Sequence, residues 1–390
     1  MAFLPYGCQT IDETDIAAVV EALRAPRLTA GPTVERFEEA LAAYIGARHV
    51  TACANGTAAL HLAYAAFDIG AGDEIITTPI TFSATAAAAY YVGATVRIAD
   101  VDPRTGNLDP ASVAALITPR TRAIVPVHLA GQPANLAELT AIARAHDLLV
   151  IEDACHALGA TYGTTRIGGG TSDAVVYSFH PVKHITTLEG GAVVSRSPQV
   201  HARLQRLRSH GIERDAARMS APPEGEWVYE VTELGWNYRL PDVACALGVA
   251  QLARLDTFLA ARRALASHYR VRLGEMFGFD GAVLPPVELA DRTSAYHLFA
   301  VAIDFPRYRT TRARVMAALT AAGIGTQVHY IPLLQHPLHA ARCPGERART
   351  RPGADTYYAR TLSLPLYPSL ALADVDRVVI ELARALGVTS

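Results

Sequence analysis

Lysine is nearly missing from this 390-residue chain: a single residue, Lys183, stands against 34 arginines. Lysine is ordinarily among the commonest residues. A genome bias that puts arginine wherever a positive charge suffices accounts for the scarcity. It also marks Lys183 as a place where charge alone does not suffice. Arginine stays protonated near neutral pH, whereas a lysine whose surroundings depress its pKa becomes a neutral, nucleophilic amine. Other features are scarce too. The five cysteines, Cys8, Cys53, Cys155, Cys245 and Cys343, are odd in number and form no CxxC pair. That argues against a disulfide framework and against a zinc cluster. A net charge of −2 gives no general pull toward nucleic acid or anionic lipid, and there is no basic patch or appended helix-turn-helix. The first residues, MAFLPYGCQTIDETD, lack the basic start and apolar run of a signal peptide. Charges and turn residues interrupt the alanine-rich segments too often for a bilayer span. The expectation is a soluble cytoplasmic protein with neither nucleic-acid nor membrane partners.

What is present is a globular composition, 51% hydrophobic and 18% charged. The length suggests two domains. From about residue 15 to 250, β-branched runs (EIITTPI, TVRIADVD, AIVPVHLA, LLVIEDA, AVVYSF, GAVVS) alternate with helix-like segments such as GTAALHLAYAAF, DPASVAALI and NLAELTAIARAH. That alternation predicts an α/β domain with a large, mainly parallel sheet covered on both faces, and ligands at the carboxyl ends of its strands. Residues 245–275 read as one or two long helices that bridge to a smaller α+β domain with short β-like pieces, HLFAVAID and GTQVHYI. The expected division is 1–250 and 251–390. The polar, proline-containing stretch 213–227 reads as a mobile loop.

Three stretches carry chemistry. In VIEDACHALGA an apolar run delivers Asp153 to the ligand edge of the sheet. Lys183 follows the strand AVVYSF. An aspartate and a lysine at two strand ends read first as a salt bridge, but they are also the two ends of a pyridoxal phosphate (PLP) site. In CANGTAALHLA, Gly56 and Thr57 open a helix whose N–H groups suit an anion, with Thr57 as both cap and phosphate ligand. Ser178 offers a further hydroxyl, and Phe82 in TTPITFSATA a face for a planar ring.

Together these stretches resemble the DegT/DnrJ/EryC1/StrS family of sugar aminotransferases. So do LTAGPTVERFEEALAAYIGARH, VDPRTGNLDP, SFHPVKHITTLEGGAVVS, LGWNYRLPDVACALGVAQL, HYIPL and LSLPLYPSL, in order along nearly the whole chain. The resemblance implies the PLP-dependent aspartate-aminotransferase fold (fold type I). It implies Lys183 as Schiff-base lysine and proton shuttle, Asp153 facing the pyridine nitrogen, and His156 near the ring hydroxyl. Gly56, Thr57 and Ser178 would hold the phosphate and Phe82 would stack on the ring. Asn237 would reach the phosphate of a partner subunit in a homodimer with shared active sites, and His329 and His184 would lie near the substrate. SFHPVKHITT, PITFSATA, IEDACHALGA and YEVTELGWNYRLPD look most like enzymes that aminate C4 of a UDP-linked 4-keto-6-deoxy-N-acetylhexosamine on the pseudaminic acid route, with glutamate becoming 2-oxoglutarate. A C3 keto-sugar or cyclitol aminotransferase is the neighbouring alternative, and a non-catalytic PLP-binding regulator the more distant one. A dehydratase of the same family is disfavoured because those enzymes replace the lysine with histidine. Two residues depart from the pattern: Leu188, where glycine is usual, and Leu334, where a second histidine is. Both are expected near the substrate.

Overall fold

The computed structural model describes residues 3–278 and 280–388. Its centre is a seven-stranded sheet in the order His49–Cys53, Gly191–Ser195, Ala174–Ser178, Leu149–Asp153, Thr121–Val125, Glu74–Thr77, Thr95–Ile98. The last five of these run parallel. Neighbouring residues on one strand enter different apolar clusters, as with Ile75 and Ile76 or Val175 and Val176. Both faces are therefore covered, which is why these strands read as continuous apolar runs.

Gly191–Ser195 is antiparallel to both of its neighbours. A parallel return needs a crossover of a dozen or more residues, usually helical. The connection from Ser178 to Gly191 contains no helix, so the chain turns straight back. Lys183 is held in that turn, at the carboxyl end of a central strand. The strand His49–Cys53 was not foreseen.

The helix pair at 242–277 breaks at Arg254 into Asp242–Ala253 and Leu255–Phe277, bent by 56°. Leu255 and Leu259 pack in the first core, and Tyr269 and Leu273 in a second. That second core lies under a three-stranded antiparallel sheet, Val283–Leu284, Phe299–Ile303 and Thr361–Leu364, with helices Arg312–Ala321 and Leu372–Ala385. Tyr269 stacks on Phe299 with ring centroids 4.5 Å apart. Leu4 also belongs to this core and bridges Ile324, so the chain passes between the two cores at its start as well as along the long helix. We propose the division 1–250 and 251–390 with that one exception.

One expectation is corrected. GTQVHYI is no strand: it makes only a single bridge, Gln327 with Ser363. Residues 214–227 form a loop with one 3-10 turn, Ala216–Arg218, and the loop is closed at its base. Ile212–Glu213 pairs with Glu230–Val231, and the Ser220 backbone N–H and hydroxyl donate to Glu230. No single described helix is long and apolar enough to cross a membrane.

Candidate active site

A cavity of about 1140 Å³ opens at the carboxyl ends of the parallel strands, where such sheets place ligands. Asp153, the last residue of its strand, is 5% exposed. Its Oδ2 accepts from the Thr85 hydroxyl at 2.8 Å and its Oδ1 from the Cys155 N–H at 3.2 Å. Lys183 follows a turn closed by its own N–H donating to the His180 carbonyl at 2.9 Å. Among the described residues its amine has no hydrogen bond and no ion pair. Burial pushes its pKa below the ordinary lysine value; the charges of Cys155 and Asp153 pull it part of the way back.

Imidazoles surround that amine. His156 Nε2 lies 3.1 Å from the Tyr330 hydroxyl, and its ring is 4.2 Å from that of His297. His329 Nδ1 lies 2.9 Å from the Ser363 hydroxyl. Burial, the largest cause in each case, holds His156, His184 and His297 well below the ordinary histidine value and His329 at about 3. All four are neutral at pH 7, so none adds positive charge beside the lysine.

The anion cradle is built on the helix Gly56–Ala66. Its cap is Asn55, not Thr57: Asn55 is extended (φ −171°, ψ 175°) and its Oδ1 accepts from Ala58 N–H at 2.8 Å. A capping residue must precede the first helical one, and Thr57 lies two residues beyond that position, inside the helix. Its hydroxyl is thereby left to the cavity, as are helix N–H groups that have no intrahelical acceptor. A Cβ on Gly56 would come within 2.9 Å of the Ser178 Cβ and 3.4 Å of the Cys155 sulfur. Only glycine lets the helix start approach the strand end this closely.

These residues fit PLP. His156 Nδ1 and His297 Nδ1 are buried without a partner, the lysine is unpaired, and an anion cradle and a carboxylate lie on the same cavity. Phe82, at 60% exposure, leaves a large aromatic face open 6.2 Å from the Tyr330 ring, which a planar cofactor would cover.

Gly56, Thr57, Phe82, Asp153, His156, Ser178, Lys183 and His329 all line the one cavity. His184 does not: it is 3% exposed and its Nε2 donates to the Ala295 carbonyl at 3.1 Å, behind the lysine. Asn237 is exposed and bridges Ser209 through its backbone, although the next residue, Tyr238, is on the wall. Leu188 and Leu334 are not on the wall either. Leu334 packs against the main core. Leu188 is 62% exposed with φ +70°, a conformation natural to glycine, which accounts for the usual residue there. Among the wall residues whose place was missed are His297, Tyr330, Thr85 and Cys155. Cys155, Thr85 and Tyr330 lay inside quoted motifs. His297 opens the stretch HLFAVAID, which was read only as a β-like piece of the second unit.

The profile of the DegT/DnrJ/EryC1/StrS aminotransferase family matches residues 9–383. The spore coat polysaccharide biosynthesis protein SpsC of Bacillus subtilis (strain 168) is 39% identical over 378 residues, 97% of this chain and 95% of that protein. The UDP-4-amino-4,6-dideoxy-N-acetyl-beta-L-altrosamine transaminase of Campylobacter jejuni (strain 81-176) is 36% identical over 380 residues, 96% and 95% of the two chains. Among solved structures, Helicobacter pylori PseC, an aminotransferase involved in the biosynthesis of pseudoaminic acid, superposes with a TM-score of 0.90 at 30% identity, covering 99% of each chain. With a lysine, a carboxylate and an anion cradle converging on one cavity, and with agreement over nearly its whole length, the chain belongs to the DegT/DnrJ/EryC1/StrS aminotransferase family and is a PLP-dependent sugar aminotransferase.

Proposed function

We propose that the protein moves an amino group from glutamate to the C4 keto group of a UDP-linked 4-keto-6-deoxy-N-acetylhexosamine, in a pseudaminic-acid-type pathway in the cytoplasm. The observation that carries the chemistry is the only lysine of the chain, unpaired and half-buried on the cavity wall among neutral imidazoles. The sugar rests on the likeness to PseC and to the altrosamine transaminase.

PLP, when bound, supplies an electron sink for the carbon that gains or loses the amine. The protein's part is positioning and proton movement. Lys183 Nζ takes a proton from the substrate carbon and returns one later, which needs the amine in its neutral form; burial lowers its pKa in that direction. Asp153 faces the ring nitrogen, held in place by Thr85 and the Cys155 N–H. Gly56, Thr57 and Ser178 take the phosphate at the helix start. His156, with Nε2 engaged by Tyr330, offers Nδ1 to the ring hydroxyl. His329 meets the substrate at the cavity edge.

The working unit is a homodimer. Asn237, exposed and off its own cavity wall, crosses to the partner's phosphate site. Lys183→Ala and Asn237→Ala homodimers, each impaired, should regain activity on subunit exchange, because one of the two hybrid sites is intact. The substrate is tested with glutamate and a panel of nucleotide-linked keto sugars, read by product mass. Amination of the UDP-linked 4-keto sugar is the expected result. Turnover confined to a 3-keto sugar or a cyclitol would overturn the C4 assignment.

A further inference from the structure

Thr85 opens no motif of its own, yet it is fully buried on the cavity side of the sheet and touches both residues that would face the cofactor ring. Its hydroxyl is 2.8 Å from Asp153 Oδ2, 2.8 Å from the Thr81 hydroxyl and 3.2 Å from the Phe82 carbonyl. Its N–H donates to the same Phe82 carbonyl at 3.2 Å. A hydroxyl has one proton to give. The bond to the Asp153 carboxylate, at 2.8 Å, is shorter than that to the Phe82 carbonyl, at 3.2 Å, so that proton goes to Asp153 and Thr81 donates in turn to Thr85. Beyond this, the Thr85 carbonyl accepts from the buried Tyr64 hydroxyl at 3.0 Å. The result is a directed chain, Thr81 to Thr85 to Asp153, anchored in the core at one end and closing the turn that carries Phe82.

We propose that Thr85 is a positioning residue for the reaction: it fixes the rotation of the Asp153 carboxylate against the ring nitrogen and ties that carboxylate to the turn that presents Phe82 to the ring face. The Cys155 N–H alone leaves the carboxylate free to swing about Oδ1, because a single donor fixes one oxygen and not the plane. The second donor, from a side chain with no freedom of its own, sets the plane. The argument rests on the PLP reading of this cavity and not on the identity of the sugar.

The test is a double-mutant cycle on the PLP-loaded enzyme, with Thr85→Val, Thr85→Ser, Asp153→Asn and Thr85→Val/Asp153→Asn. Thr85→Val preserves volume and removes the hydroxyl. It should lower the rate of the glutamate half-reaction about 10- to 100-fold, the loss expected for one hydrogen bond to a charged group, with KM for glutamate within about twofold. The 15N resonance of the PLP ring nitrogen should shift in the same variant. Thr85→Ser should restore both readouts. In the Asp153→Asn background, itself strongly impaired, adding Thr85→Val should cost less than about twofold, because the partner it acts through has already been removed. Should Thr85→Val not fold, Thr85→Ala takes its place in the same cycle. Effects that multiply across the cycle, or a Thr85→Val enzyme with wild-type rate and resonance, would overturn the proposal. No sugar enters these measurements, so a wrong sugar assignment leaves them untouched. A wild-type protein that neither colours with PLP nor reacts with glutamate overturns both readings together.

Discussion

Around Glu74 and Glu346, at the outer edge of the large sheet, every buried charge meets its opposite. Arg97 on the edge strand bridges Glu346 at 2.6 Å and Glu74 at 3.4 Å. Arg120 reaches Glu74 at 2.6 Å, and Arg351 joins Glu346 at 2.5 Å while donating to the Ile98 carbonyl at 3.0 Å. Around Lys183, in the middle of the same sheet, the arrangement is reversed. Among the described residues the lysine makes no ion pair, Asp153 acting on it only from beyond pairing distance, and the imidazoles around it are kept neutral by burial. The first cluster needs permanent cations with forked donors, and arginine supplies them. The second needs an amine that gives up its proton. This chain, which uses arginine for every other basic residue, thereby separates the two uses of positive charge by residue type.

The comparison breaks hardest at Lys183→Arg, which keeps the charge and removes the chemistry. Glutamate-dependent turnover should fall by more than about 10⁴-fold, and the visible PLP absorbance and borohydride-fixed label should vanish. A variant that still colours and turns over would show that a different group carries the reaction. At the other cluster the effect is on folding. Glu346→Gln leaves Arg97 and Arg351 short of a countercharge, which for a buried pair costs about 3–5 kcal/mol. Urea denaturation should register that loss, while absorbance and turnover per folded molecule stay as in the wild type. A change in the cofactor spectrum would mean the two clusters are coupled across the sheet.

The third test uses pH. His329 has its pKa near 3 in the folded protein, against about 6.5 in an unfolded chain. Between those values the unfolded chain binds a proton that the folded one does not. Stability from this residue is therefore full above about pH 6.5 and is lost as pH falls toward 3. From pH 7 to pH 5 the loss from His329 alone is about 2 kcal/mol. In the apo-protein, His329→Asn should flatten the fall in unfolding free energy from urea denaturation over that range by about 2 kcal/mol. Equal slopes in mutant and wild type would place the proton-sensitive groups elsewhere; His156, His184 and His297, and beyond the cavity His61, His201 and His339, are further candidates whose pKa burial lowers.

How much of this was legible beforehand depended on distance along the chain. The parallel strands could be read because burial on both faces demands unbroken β-branched runs. His49–Cys53 escaped because HVTAC mixes small and polar residues over a length too short to show a pattern. Asp153 was readable because it ends an apolar strand, and Lys183 because it follows one closely and lysine is otherwise absent. Their surroundings were not. His297 reaches the cavity only through the packing of the second unit on the first, which no local pattern encodes, whereas Tyr330 sat beside His329 in HYIPL and was passed over. The misassigned cap, Thr57 for Asn55, was an error of two residues in a backbone conformation that composition leaves open. His184 shows the converse: adjacent to the lysine in sequence, it is turned behind it by the non-helical connection at 179–190.

The isolation of Lys183 also makes the molecule a clean object for labelling. An acylating or reductive-alkylation reagent aimed at side-chain amines has one destination, on the wall of the 1140 Å³ cavity, because guanidinium groups do not compete for it at neutral pH. Besides Lys183, the α-amine of the first residue is the amine such reagents reach. With that amine scored separately, the extent of Lys183 modification measures cavity occupancy: a ligand seated against the lysine protects it, one bound elsewhere does not. A footprinting experiment that in most enzymes must sort dozens of reactive sites reduces here to two, told apart by a single peptide.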